Sequence, residues 1–583
     1  MYVKRTTVKR GAQSYVYLRL VEAFRDASGR VAHRVLANLG REDVLKASGQ
    51  LDQLAAAFAR LDPPRLGVRK DVGPLLLVKH VLERLDLIAV IERQCPRHGR
   101  AELSTGEVIA ALIANRLCAP APLYDIAAWA TASALQELFS IPGMLLNDDR
   151  LGRSLEAFAP VAEAVRGAVA LAAIETFGVD AARLHLDLTT LRVAGAYQDS
   201  NLVAKGWGAD RRVRRQLRLL QAVNAQGVPL YVRPHRGDAA ELTCIGAALE
   251  RLAKLLGPGL LVCVDSALGH VKNLCSAHRA DLRFIVPLRA ETGFVDRFLD
   301  EVGEPALQPI RYVSQRDRAR SPKKRPRYRG ALRPWSVTDP DTDQTHAFRV
   351  LYVWSSEEAA SVAAARERAM IKAEQDLTTI RNSIPRRYKT IEQVRARIAA
   401  KLKPAISDLL SISVTGHEDK PRLEWRRNAQ AIERIARTDG IYALATNLLG
   451  RISARRLLHT YKSQHLVEQR HRDGKQTLRV RPIFLHNDDR IEALTSVVGL
   501  ALTVFGLIEA AARNALGPGK TLEGLLPEGR QSIPTGRMLL AAFQGLGITY
   551  TERGIQLDAL TATQRRVLEL LDVQLPWPQR RKC

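Results

Sequence analysis

The stretch Tyr461–Lys475, YKSQHLVEQRHRDGK, spaces reactive side chains in a regular way. Tyr461, Glu468 and Lys475 follow one another at seven-residue steps, two helical turns or about 700° of rotation, which returns each to nearly the same face. Arg472, four residues after Glu468, joins that face. A carboxylate between an aromatic hydroxyl and two cations suits a site that binds a metal ion and holds phosphates beside it. The same window fits an exposed amphipathic helix with ordinary salt pairs, the commoner use of such a pattern.

A metal-binding carboxylate needs partners on a rigid scaffold, and these are found upstream. RLHLDLTTLRV, starting at Arg183, alternates: Leu184, Leu186 and Leu188 share one face, His185, Asp187 and Thr189 the other. An acid in mid-strand is costly to bury unless something charged or hydrogen-bonding meets it. QLRLLQAVNAQ and VPLYVRPHRG, divided at Gly227, read as a strand pair, and ELTCIGAALERLAKLLG as an amphipathic helix. LLVCVDS is apolar without alternation, as expected of a central parallel strand, and Asp265 stands at its C-terminal end. VKNLCSAHRA is helical and RFIVPLR is a further strand. Three strands, helix, strand, helix, strand is the order of an α/β, RNase H-like mixed sheet core. In open α/β sheets, sites gather at the carboxyl ends of strands. Asp187, Asp265 and Glu468 are therefore the candidate catalytic and metal-binding trio.

Composition agrees with a polyanionic partner. Lys and Arg number 88 against 61 Asp and Glu, a formal charge of +27, which favours nucleic acid. No hydrophobic anchor accompanies the charge, so a membrane partner is not expected. The longest apolar run, between Glu492 and Glu509, is shorter than the ~20 residues of a membrane span and reads as a buried helix. MYVKRTTVKRG lacks the apolar core of a signal peptide. The six cysteines are scattered without a CxxC pair, so a reducing cytoplasm is the expected location. Cys95 and His98 make half of a zinc pattern without a second half, and no zinc site is expected.

The remaining chain divides by pattern. Residues 1–68 read as an N-terminal β-hairpin, SYVYLRLVEAFRD and VAHRVLANLG around a Ser28-Gly29 turn, then a helix from Glu42 to Leu61 stopped by Pro63-Pro64. Residues 69–178 are a helical, candidate DNA-binding domain in which Ser104 and Glu107 form a capping box. Residues 179–289 hold the first part of the core and 451–515 the second, with Glu468. Between them, 290–450 reads as an inserted α+β domain with long charged helices. It opens on SQRDRARSPKKRPRYRG, where Pro322 and Pro326 oppose regular structure; this basic run suits a solvated loop and a DNA-tracking loop equally. The tail 516–583 carries no readable chemistry.

These residues resemble the DDE transposases of bacterial insertion sequences, most closely the insertion-sequence-four superfamily. Its third motif reads Tyr, two residues, Arg, three residues, Glu, six residues, Lys. Tyr461, Glu468 and Lys475 match at that spacing, and Gln464 stands at the Arg position, with Arg470 or Arg472 as candidate substitutes. LDLTTL around Asp187 looks like the first motif and VCVDSALGHVKNL around Asp265 like the second. The likeness extends to the N-terminal hairpin, LNDDRLGRSL at 146–155 and RPIFLHNDDRIEALTSVVGLAL. It implies that Asp187, Asp265 and Glu468 bind two Mg²⁺ ions, with Mn²⁺ as substitute, about 3.5–4 Å apart. Water would nick DNA at the transposon end, and the freed 3′-hydroxyl would attack target DNA. Tyr461, Gln464, Arg472 and Lys475 would contact the DNA, and a homodimer or larger assembly would hold paired ends. Two other functions use the same residues: an RNase H-like nuclease that cuts without joining, and a catalytically inert DNA-binding repressor.

Overall fold

The computed structural model describes residues 2–10, 13–25, 31–48, 66–96, 99, 101–195, 197, 199–208, 212–314, 316–417, 420–450, 452–479, 485 and 487–580. The chain forms two compact units, 1–72 with 545–560 and 575–583, and 73–544 with 561–574.

In the first unit, β1 (Tyr2–Arg10), β2 (Gln13–Arg25) and β3 (Val31–Arg41) make an antiparallel sheet in that order. The sequence shows the β2–β3 hairpin but misses β1 as its third strand. Leu18 and Val21 of β2 are buried. A helix begins at Glu42 as expected and is described as far as Ala47; Ser28-Gly29, Leu61 and Pro63-Pro64 lie outside the described residues. A separate sheet joins β4 (Arg69–Asp71) to the hairpin Gly547–Thr551 and Gly554–Leu557, so part of the tail belongs to this unit.

The second unit begins with helices. Thr105–Cys118 starts at a capping box in which Ser104 Oγ accepts from the Glu107 amide at 3.0 Å and Glu107 Oε2 accepts from the Ser104 amide at 2.6 Å. A ten-stranded sheet follows. Its first part comprises β5 (Arg183–Arg192), β6 (Ala204–Trp207), β7 (Val213–Asn224), β8 (Pro229–Arg236), helix α1 (Glu241–Leu256), β9 (Leu261–Cys263), helix α2 (Val271–Arg279) and β10 (Arg283–Pro287). β5, β9 and β10 are parallel, β5 and β7 antiparallel. β6 and β8 both pair with β7, at Val213–Gln216 and Leu217–Val223 respectively.

Residues 290–450 do two things. β11 (Gln308–Ile310), β12 (Tyr328–Thr338), β13 (Thr345–Ser355) and β16 (Ile441–Thr446) extend the main sheet, β16 lying between β13 and β10. FRVLYVW and IYALAT are largely apolar on both faces, so they serve as interior strands. The hairpin β14 (Leu410–His417) and β15 (Lys420–Arg427) packs with the helices Ser356–Asn382 and Ile391–Lys401 on a smaller core that includes Leu377, Val394, Leu410 and Leu423. Within the described part of the basic run, Arg325 donates to the carbonyls of Asp317, Arg318 and Arg320.

Helices α3 (Ala454–Lys462), α4 (His465–Arg472) and α5 (Asp488–Leu516) complete the unit. Two stretches, 148–177 and 488–516, are long and apolar enough to cross a membrane by length and composition. In the second, 94% of the apolar window is buried, the expected core helix, although at 29 residues it outruns the apolar segment that announces it. Its buried Thr495, Ser496 and Thr503 donate to the carbonyls of Ile491, Glu492 and Pro229. Gly499 and Gly506 let it approach β8: a Cβ there would lie 3.0 Å from Val232 and 3.1 Å from Gly227 O.

Candidate active site

Strand pairing brings the two aspartates together. β5 and β9 are in register at His185 and Cys263, where their pairing ends. Asp187 and Asp265 each lie two residues further on, at the carboxyl-end crevice where open α/β sheets place their sites. β5 continues against β7, with Asp187 opposite Gln221. The chain after β9 turns away, and Asp265 caps that turn, its Oδ1 accepting from the Ala267 amide at 3.0 Å. Glu468 arrives from α4, which packs on β5 and β7.

The single helix expected for Tyr461–Lys475 is broken into three pieces. Tyr461 is in α3, Glu468 in α4, and Lys475 in a π-turn, Asp473–Thr477. At the first joint the Gln464, Leu466 and Val467 amides donate three residues back, the tighter 3₁₀ pattern. At the second, the Leu478 amide donates five residues back, to Asp473 O.

The electrostatics report how close the acids lie. Burial, then Asp265, with smaller contributions from Glu468 and Glu241, pushes the Asp187 carboxyl up to about 7. Tyr461, raised to about 12 by burial, then by Asp265 and Glu468, remains a neutral phenol. Glu468 is exposed and has no ion-pair partner among the described residues. Glu241, at the start of α1, hydrogen-bonds Asp265 and is held above its usual range by burial and then by that neighbour. The cluster thus contains four acids, and burial together with acidic neighbours raises the proton affinity of two of them, Asp187 and Glu241.

His471 and Glu241 are the residues that sequence reasoning missed. His471 is buried, and its Nε2 lies 3.3 Å from Asp187 O and 3.4 Å from Asp187 Oδ2. Burial, reinforced by Lys475, lowers it to about 3, so it is a neutral imidazole. It follows Glu468 by three positions, the one signal that could have marked it. Nothing in the spacing marks Glu241.

The expected DNA contacts are differently placed. Arg472 is exposed and has no ion-pair partner among the described residues. Lys475 donates to Thr189 Oγ1 at 2.5 Å, two residues along β5 from Asp187. Gln464 turns inward: its Nε2 donates to Leu186 O at 2.7 Å and its Oε1 faces His185 Nδ1 at 3.2 Å. A side chain with both amide atoms engaged by β5 acts as a strut. Arg470, a candidate substitute for it, is 2% exposed and donates to Gly227 O at 2.6 Å, Asp473 at 2.7 Å and Glu509 at 2.8 Å. That guanidinium belongs to the core and cannot reach DNA, which leaves Arg472.

Residues 3–64 match the model described as IS1634 family transposase, N-terminal domain. The N-terminal part of the chain is thus similar to an insertion-sequence transposase. Residues 68–164 match a domain of unknown function, DUF4277. Both stretches end before Asp187. No curated protein matches the chain.

Proposed function

We propose that the protein is a DDE transposase that cuts DNA at the ends of its insertion sequence and joins them to target DNA. The observation that carries this reading is the shared electrostatic environment of Asp187, Asp265 and Glu468, drawn from two neighbouring parallel strands and a late helix. The strand order β8-β7-β5-β9-β10, with β5, β9 and β10 parallel, supports an RNase H-like core.

The donor set fits Mg²⁺, or Mn²⁺ in its place: it is oxygen-only, and burial together with the neighbouring acids holds Asp187 near 7. Asp187, Asp265 and Glu468 would hold two such ions, which supply the charge that activates the attacking oxygen and stabilises the leaving one. The chain's own groups do the positioning. His471 Nε2 and the Leu188 amide, the latter at 3.0 Å, hold the Asp187 carboxylate from two sides. Tyr461 would offer a phenolic proton, and Arg472 and Lys475 would hold a phosphate of the bound DNA. The DNA partners are the element ends and the target, held by a dimer or larger assembly.

The test separates chemistry from binding. Asp187→Asn, Asp265→Asn and Glu468→Gln should each reduce Mg²⁺-dependent cleavage of an end-bearing duplex by more than the ~10–100-fold that an outer-sphere partner costs. Each removes a charge with little change of shape, so end binding should persist. Cleavage retained in any one variant would mean that its acid is not a ligand. Cleavage without joining to a second duplex, in the wild type, would favour a nuclease.

A further inference from the structure

A second polar cluster lies outside the carboxylate site. Cys275 on α2, Asp339 just after β12 and His346 at the start of β13 bring a sulfur, a carboxylate oxygen and an imidazole nitrogen all within 4.8 Å of one another. Cys275 and Asp339 are completely buried, and the His346 side chain is 12% exposed. His346 Nε2 lies 3.6 Å from Asp339 Oδ2, too far for a good hydrogen bond. That buried nitrogen has no hydrogen-bond partner among the described residues. Beside it, the His278 ring stands edge-on to His346 at 4.9 Å, with its Nδ1 held by Asn447 Nδ2 at 3.2 Å.

We propose that Cys275, Asp339 and His346 form a zinc site that fastens α2 to the β12–β13 hairpin, with water as fourth ligand. One thiolate, one imidazole and one carboxylate suit Zn²⁺ and not the hard cation expected at the oxygen-only cluster. Burial holds the Cys275 thiol above its usual range, so zinc enters as that thiol gives up its proton. Without zinc, Asp339 is balanced by Arg279, which also reaches Asp341 Oδ2 at 3.2 Å. With zinc, the cation is neutralised by one thiolate and one carboxylate, and Arg279 retains Asp341. The site is structural: α2 begins shortly after the turn capped by Asp265, and β12–β13 is part of the main sheet.

The experiment is a titration of full-length, metal-free protein with Co²⁺, followed by Zn²⁺. The expected result is a thiolate-to-cobalt absorption band that saturates at one equivalent and is abolished by Zn²⁺. Cys275→Ser should lose that band and His346→Gln should weaken cobalt binding at least tenfold, whereas Cys95→Ser should retain it. Zn²⁺ should raise the melting temperature of the wild type and not of Cys275→Ser. Absence of the band in the wild type would overturn the proposal, whatever the variants do. So would a band that survives Cys275→Ser, or zinc stabilisation that disappears in Asp187→Asn.

Discussion

Asp187 holds a proton that an ordinary aspartate releases. Its carboxyl shifts from the usual 3.8 to about 7 on folding, through burial first and its acid neighbours second. Between those values the folded chain binds the extra proton and the unfolded chain does not. Without a divalent cation, stability at this group is greatest below pH 4, falls as pH rises, and is fully lost above 7. Asp187→Asn removes the charge, and His471 can present either tautomer to the amide. This variant should therefore melt about 2–5 °C higher than the wild type at pH 8 without metal, with the difference closing towards pH 4. Mg²⁺ should raise the wild type and leave the variant unmoved. Calorimetry at both pH values checks this; equal melting at pH 8 would show that the acids are not crowded.

Helix α4 carries Glu468 on its exposed side and is anchored by Arg470 on its buried side. Arg470 and Glu509, each 2% exposed, form a buried pair joining α4 to α5. Arg513 and the Gly536 amide also meet Glu509, at 2.6 and 2.8 Å. Gly227, at φ +85°, brings its carbonyl to Arg470, and a Cβ there would lie 2.9 Å from the guanidinium. Arg470→Met leaves Glu509 under-compensated and should cost about 3–5 kcal/mol. It should also reduce cleavage, because α4 loses its seat under Glu468 and His471. Glu509→Gln added to Arg470→Met should restore part of the stability. Denaturant unfolding of the single and double variants measures the coupling, and additive effects would mean that the pair does not act as a unit.

Over the whole molecule, the charge of +27 is the main long-range force on a DNA partner. Not every cation contributes: Arg470 is buried, while Arg472 is exposed, as are Lys323 and Lys324 beside a cleft of about 540 Å³. Arg472→Ala should weaken end binding and make its log–log salt dependence shallower by roughly one unit, and Lys323→Ala with Lys324→Ala by roughly two. Gln464→Ala releases no counterion and should leave the slope unchanged while loosening α4 on β5. End affinity across a salt series gives all three slopes. An unchanged slope for Lys323→Ala/Lys324→Ala would make the basic run a solvated loop.

Local pattern was sufficient for the strands around Asp187 and Asp265, the capping box at Ser104 and the buried helix at 488–516, because periodicity and end signals are properties of a few adjacent residues. The seven-residue steps of Tyr461, Glu468 and Lys475 were legible as well, but not the two joints that break their helix, which form where α4 seats on β5 and β7. Cations show the same division. Arg470 and Arg472 differ by two positions and look alike in sequence, yet only packing against Gly227 and Glu509 commits Arg470 to the core. Glu241 and His471 join the acids, and Cys275, Asp339 and His346 meet one another, across separations that no local spacing encodes. Residue type and spacing determined which chemistry the chain could contain; chain closure decided which groups face it, because burial and long-range contact exist only once the sheet has formed.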